Sequence, residues 1–104
     1  MSSEQDLQAW QKQHLPHFHD RETQFVIDWL VRESGRPKRL TELYDTLRFK
    51  NDTLRGVISM LSLHGLVEIG RDSRDSRRFV AKPTIKLRRR MKQYARMLSE
   101  IASQ

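Results

Sequence analysis

Between Gly65 and Thr84 the chain carries two short β-prone runs, Leu66–Arg71 and Arg77–Ala81, around the charged sequence Asp72-Ser73-Arg74-Asp75-Ser76-Arg77-Arg78. Few folds accommodate such a segment. The tip is too charged to bury and too short to be a domain, so it must project. The runs on either side must then pair as a two-stranded ribbon to carry it. A helical pattern comes directly before it: Leu54, Val57, Ile58 and Leu61 make one apolar stripe. That helix is expected to start at Asn51 or Asp52, both good caps, and to run to His64, with Gly65 as its left-handed stop. A helix followed by a charged ribbon predicts a mostly helical α+β fold, a winged helix-turn-helix. Arginines gathered on a projecting tip suit a polyanion, with nucleic acid the first candidate.

The segments upstream fit this frame. Residues 4–12 predict a short helix holding Leu7 and Trp10, and Pro16 prevents its continuation. Asp20 is the expected N-cap of a helix reaching about Glu33, with Phe25, Val26, Trp29 and Leu30 on its apolar face. Gly35 and Pro37 end it. Thr41 is the expected cap of a short helix that turns Leu43 and Leu47 inward, and Arg48-Phe49-Lys50 is the turn after it.

The last helix opens at Pro83-Thr84. Its residues Leu87, Met91, Tyr94, Leu98 and Ile101 are spaced four, three, four and three apart, a heptad seam flanked by basic side chains. Such a seam covers either the chain's own domain or a twin helix. A chain of 104 residues has little core for a helix of that length to cover, so the dimer is the expectation. The chain then divides into an N-terminal segment (1–20) that assists the dimer, a winged helix-turn-helix (21–82) and a dimerisation helix (83–104).

The net charge of +7 is uneven. Residues 1–35 hold three Lys/Arg against six Asp/Glu, whereas residues 36–104 hold seventeen against seven. The basic part suits a polyanion and the acidic part another task. The basic residues accompany no exposed Trp/Phe/Leu face, which argues against a membrane surface. There is no apolar run of membrane-spanning length, no secretory leader pattern and no cysteine, so a cytoplasmic setting is expected. His14, His17, His19 and Asp20 are metal-ligand types, but Pro16 interrupts them and the spacing matches no standard site. A polar loop, or histidines at a dimer contact, is the expectation, with no metal and no cofactor. Trp10, Trp29 and Phe25 read as core rather than as a ligand box, and a small-molecule effector is possible but unsupported. No nucleophile, phosphate loop or oriented acid–base pair is present, so the chain reads as a binding protein without catalytic residues.

In a helix-turn-helix the second helix enters the major groove and its first turn faces the base edges. Here that turn offers Lys50, Asn51, Asp52, Thr53 and Arg55. Asn pairs in bidentate fashion with adenine, and Lys or Arg with guanine. Asp52 can accept from a cytosine amino group, but capping the helix and orienting Lys50 or Arg55 is the stronger reading. Gly56 inside this helix costs about 1 kcal/mol relative to alanine. Either it lets a phosphate or a neighbouring helix approach, or it packs against the short helix at 41–47.

The stretch Thr41–Val67 resembles, without a gap, the helix-turn-helix of MarR-type regulators. Asp72-x-Arg74-Asp75-x-Arg77 followed by Thr84 is similar to that family's D-x-R-D-x-R…T wing signature. The resemblance spans about residues 21–90. It implies a dimeric winged-helix transcription regulator on a pseudo-palindromic duplex. It implies also that Arg77 enters the minor groove with Asp75 as its buttress, while Arg74 and Arg78, with Arg71 at the stem, meet phosphates or the groove wall. A narrow minor groove does attract arginine, and a carboxylate two residues away can fix a guanidinium. The chain departs from the family in its short N-terminal segment, its single C-terminal helix, and Pro83 and Leu87 at the wing's exit. The combined expectation is a homodimeric regulator of double-stranded DNA, most simply a repressor. The alternatives are a winged-helix module for an acidic protein partner, or an accessory DNA-binding factor of a plasmid, phage or nucleoid.

Overall fold

A computed structural model describes residues 3–103. Five helices and a three-stranded antiparallel sheet follow in the order α1 (Glu4–His14), α2 (Arg21–Gly35), β1 (Lys38–Arg39), α3 (Leu40–Thr46), α4 (Asn51–Leu63), β2 (Val67–Arg71), β3 (Phe79–Pro83) and α5 (Ile85–Ala102). The sheet order is β1-β3-β2. The expected α+β winged helix-turn-helix is present, with one more strand than the sequence suggested. β1 is only two residues long and pairs Lys38 with Ala81 and Arg39 with Val80.

α1 starts with a capping box, in which Ser3 Oγ accepts from the Asp6 amide and Asp6 accepts from the Ser3 amide. Asp20 and Thr41 do not cap as expected. Asp20 occupies the N-cap of α2 but makes no capping bond; its carboxylate faces His19 at 3.1 Å and His17 at 3.8 Å instead. Thr41 lies inside α3, whose N-cap is Arg39. The cap of α4 is likewise Lys50, with Asn51 and Asp52 in its first turn. α2 leaves helical geometry at Arg32, and Glu33, Ser34 and Gly35 then take positive φ in succession. Gly35 is required there twice over: its φ is +70°, and a Cβ would come within 2.9 Å of Pro83 Cγ. That break withdraws the Glu33 amide that would have bonded the Trp29 carbonyl in a continuing helix. Lys38 fills the place. Its side chain is buried, its ammonium donates to Trp29 O, and it lies 5.1 Å from the Trp29 ring. Burial pushes this ammonium below its ordinary value.

The core forms where α2, α3 and α4 meet the sheet. Val26, Ile27, Trp29 and Leu30 share one core with Leu43 and Leu47, and the α4 stripe Leu54, Val57, Ile58 and Leu61 is buried as its spacing predicted. Phe25 does not join them: it is exposed and meets Phe49 at 5.7 Å. Trp10, Trp29 and Phe25 therefore sit in three separate environments. Gly65 ends the α4 turn with φ +70°. Thr84 then does two jobs, since its Oγ1 donates to Gly65 O at 2.8 Å and caps α5 by accepting from the Leu87 amide.

α5 divides its seam. Leu87 is completely buried in the core of its own chain, and Met91 and Tyr94 pack against that core. Tyr94 stacks on Trp10 at 6.2 Å and meets Phe18 edge-on at 5.1 Å, which binds α1 to α5. Arg90 strengthens the pair by donating to His14 O at 2.7 Å, at the negative end of α1. Leu98 stays exposed and Ile101 half-buried. Of the five residues expected to meet a twin helix, the first three are thus taken up within the chain.

Candidate nucleic-acid interface

The first turn of α4 is open to solvent. Lys50, Asn51, Asp52, Thr53 and Arg55 are all exposed at the N-terminus of α4, whose opposite face is locked into the core by Leu54, Val57 and Ile58. Asp52 orients Arg55 rather than capping the helix: the two side chains are 3.5 Å apart, and Asp52 is almost fully solvated. Arg55 also lies 5.9 Å from the Tyr44 ring on α3. The helix dipole adds positive potential at this end. A Cβ on Gly56 would meet nothing within 4 Å, so the glycine is not there to pack against α3. Gly56→Ala is therefore expected to raise stability by about 1 kcal/mol through helix propensity, read from urea unfolding.

The wing is built from β2, β3 and the turn between them. Its stem lies largely outside the core: Ile69 and Phe79 are exposed, and Val67 alone in β2 is buried. Arg71 serves this stem, covering the Phe79 ring across the ladder at 5.0 Å and donating to Ser76 O at 2.6 Å. At the tip Asp75 holds two arginines. Its Oδ1 accepts from the amide and the Nε of Arg77, each at 3.1 Å, and its Oδ2 lies 3.5 Å from Arg77 Nη2 and 3.4 Å from Arg78 Nε. These bonds hold the Asp75 carboxyl below its ordinary range, with the Arg77 side chain the largest cause. Arg77 nevertheless remains 89% exposed. An arginine fixed at its Nε yet open to solvent has lost part of its side-chain entropy before meeting a ligand. Arg74, also exposed, donates its amide to Asp72 Oδ1 at 3.0 Å.

Sequence reasoning missed Arg39. Its Nε donates at 2.6 Å to Asp72 Oδ2, at the root of the wing. The Arg74 amide, followed by Arg39, holds the Asp72 carboxyl below its ordinary range. No local signal marks that pair, because 33 residues separate the partners. Lys86 of α5 donates to His64 O at 3.1 Å, at the carbonyl end of α4.

The histidines do not converge on an ion. Among the described residues no three His, Asp or Glu side chains are placed to hold a metal. His17, His19 and His64 line an open cleft of about 830 Å³ beside α1, together with Lys12 and Phe18. Among the described residues no helix is long and apolar enough to cross a membrane.

No protein-family model matches the chain, and no curated protein does. Solved structures do. A protein of Pseudomonas aeruginosa described as a probable transcriptional regulator superposes with a TM-score of 0.68 at 20% identity, covering 94% of this chain and 72% of that one. BpsR of Bordetella bronchiseptica, whose DNA binding is regulated by 6-hydroxynicotinic acid, gives 0.63 at 23% identity over 95% and 70%. The PcaV transcriptional regulator of Streptomyces coelicolor gives 0.58 at 24% over 89% and 70%. All of these likenesses are under 25% identity and show the fold: the chain has the winged-helix fold of these proteins.

Proposed function

We propose that the chain is a sequence-specific regulator of transcription that binds double-stranded DNA as a homodimer on a pseudo-palindromic site, in the cytoplasm, with repression as its output. The observation that carries the reading is the wing tip, where Asp75 holds Arg77 at two atoms while leaving the guanidinium almost fully solvated. A surface ion pair of this kind adds little to stability. Its effect is to aim a cation, and the exposed first turn of α4 gives that cation a companion surface for the major groove. In this reading Lys50, Asn51, Thr53 and Arg55 address base edges and phosphates, Asp52 orients Arg55, and Arg74 and Arg78 meet the backbone beside Arg77. Arg71 stiffens the stem.

The chain is more extended than a compact domain of its length. Its Cα radius of gyration is 14.6 Å, above the roughly 13 Å of a compact domain this size. At the end of α5 Leu98 is exposed and Ile101 half-buried, and this reading assigns them to a second copy; Leu63 and Ile85 are exposed apolar residues as well.

Selection from a random duplex library at about 150 mM salt, where counterion-driven binding is suppressed, tests the function. A palindromic motif with half-sites about one helical turn apart is the expected outcome. No enrichment above input overturns sequence-specific regulation.

A further inference from the structure

The wing is tethered from outside itself. Its stem buries little, and a two-stranded ribbon alone is marginal in water, so something must set the direction in which it projects. Arg39 reaches it from β1, with Nε donating to Asp72 Oδ2 at 2.6 Å. The Asp72 side chain is only 12% exposed, the most enclosed carboxylate among the described ion pairs. Its second oxygen accepts from the Arg74 amide at 3.0 Å, and its own amide donates to Arg78 O at 2.8 Å. One aspartate therefore closes the neck of the wing and ties it to β1. The base of the tether is rigid too. β1 is paired to β3, and the neighbouring Lys38 is buried with its ammonium on the end of α2.

We propose that Arg39 is a positioning residue for duplex binding: through Asp72 it fixes the direction in which the wing presents Arg77. A charge-assisted, partly enclosed bond suits that role. The proposal rests on the wing reading given above, and it assigns Arg39 no contact with DNA.

The test compares the full chain with Arg39→Ala, Arg39→Lys, Arg77→Ala and the Arg39→Ala/Arg77→Ala double variant. The DNA readout is the ratio of affinities for a selected duplex and for one whose A·T pairs under the wing are changed to G·C, which adds an amino group to the minor groove. The second readout is amide exchange in the free protein. Arg39→Ala is expected to lower the ratio about as far as Arg77→Ala does, with the double variant no worse than Arg77→Ala alone. Arg39→Lys is expected to fall between. The salt slope is expected to stay unchanged, because no phosphate contact is lost. The Arg74 and Arg78 amides are expected to exchange about tenfold faster while α4 keeps its protection.

A slope reduced by about one with the ratio intact makes Arg39 a direct phosphate contact and overturns the proposal. So does an additive loss in the double variant, or faster exchange in α4 as well, which makes Arg39 a general stabiliser. If Arg77→Ala keeps the ratio, the minor-groove reading of Arg77 fails on its own. Wing exchange then decides Arg39: faster exchange confined to the wing supports the tether, and unchanged exchange overturns it.

Discussion

Replacing Arg77 with alanine is expected to weaken binding to a selected duplex by about 1–3 kcal/mol, a rise in Kd of roughly five- to a hundred-and-fiftyfold. Binding to random duplex should lose only what one exposed charge contributes. The difference follows from how the side chain is held. A guanidinium fixed by Asp75 through its Nε keeps its direction before DNA arrives, so less entropy is lost on insertion into a groove. Non-specific binding needs no such direction, since counterion release depends on charge alone. The companion change Asp75→Asn separates the two effects. It raises the net positive charge, so random-duplex binding should strengthen slightly, while the selected duplex loses affinity because Arg77 is no longer aimed. Filter or anisotropy titrations on both duplexes at two salt concentrations give the comparison. Equal losses on selected and random DNA for Arg77→Ala would sink the site-specific role.

How much of this was legible in the sequence depends on whether the cause was local. The α4 stripe was, because burial on one helix face writes a period into adjacent residues, and Gly65 was, because a left-handed stop favours glycine. The pairing of Asp75 with Arg77 followed from a resemblance whose residues lie side by side. Arg39 and Asp72 carry no such mark. Their partnership exists because β1 docks on β3, and a two-residue strand beside Pro37 shows no alternation to read. Lys38 misleads in the same way: composition places a lysine in solvent, whereas the break in α2 creates a carbonyl that needs a donor. The caps failed for the reason that Asp and Thr fit several roles. Asp20 holds the N-cap position of α2 but turns its carboxylate to two histidines, and Thr41 lies two residues past the N-cap Arg39.

The heptad spacing of α5 leaves two coverings open, because periodicity tells which residues share a face and not what covers that face. Leu87→Ala and Leu98→Ala separate the two possibilities. Leu87 is completely buried among residues of its own chain. Its truncation is expected to cost about 2–5 kcal/mol, the range for a leucine that leaves a cavity in a packed core. Because the cavity lies inside one chain, the loss should be the same at every protein concentration in urea unfolding. Leu98 is 42% exposed within the chain. Its truncation should cost the single chain little, but in a dimer paired through the end of α5 it removes apolar burial from both copies. Self-association should then weaken by roughly tenfold or more, seen as a concentration-dependent shift in sedimentation, and affinity for a two-half-site duplex should fall with it. Unchanged association in Leu98→Ala would remove the end of α5 from the dimer. A concentration-dependent loss in Leu87→Ala would mean that the first turns of the helix open to meet the partner, which their packing against α1 and the core opposes.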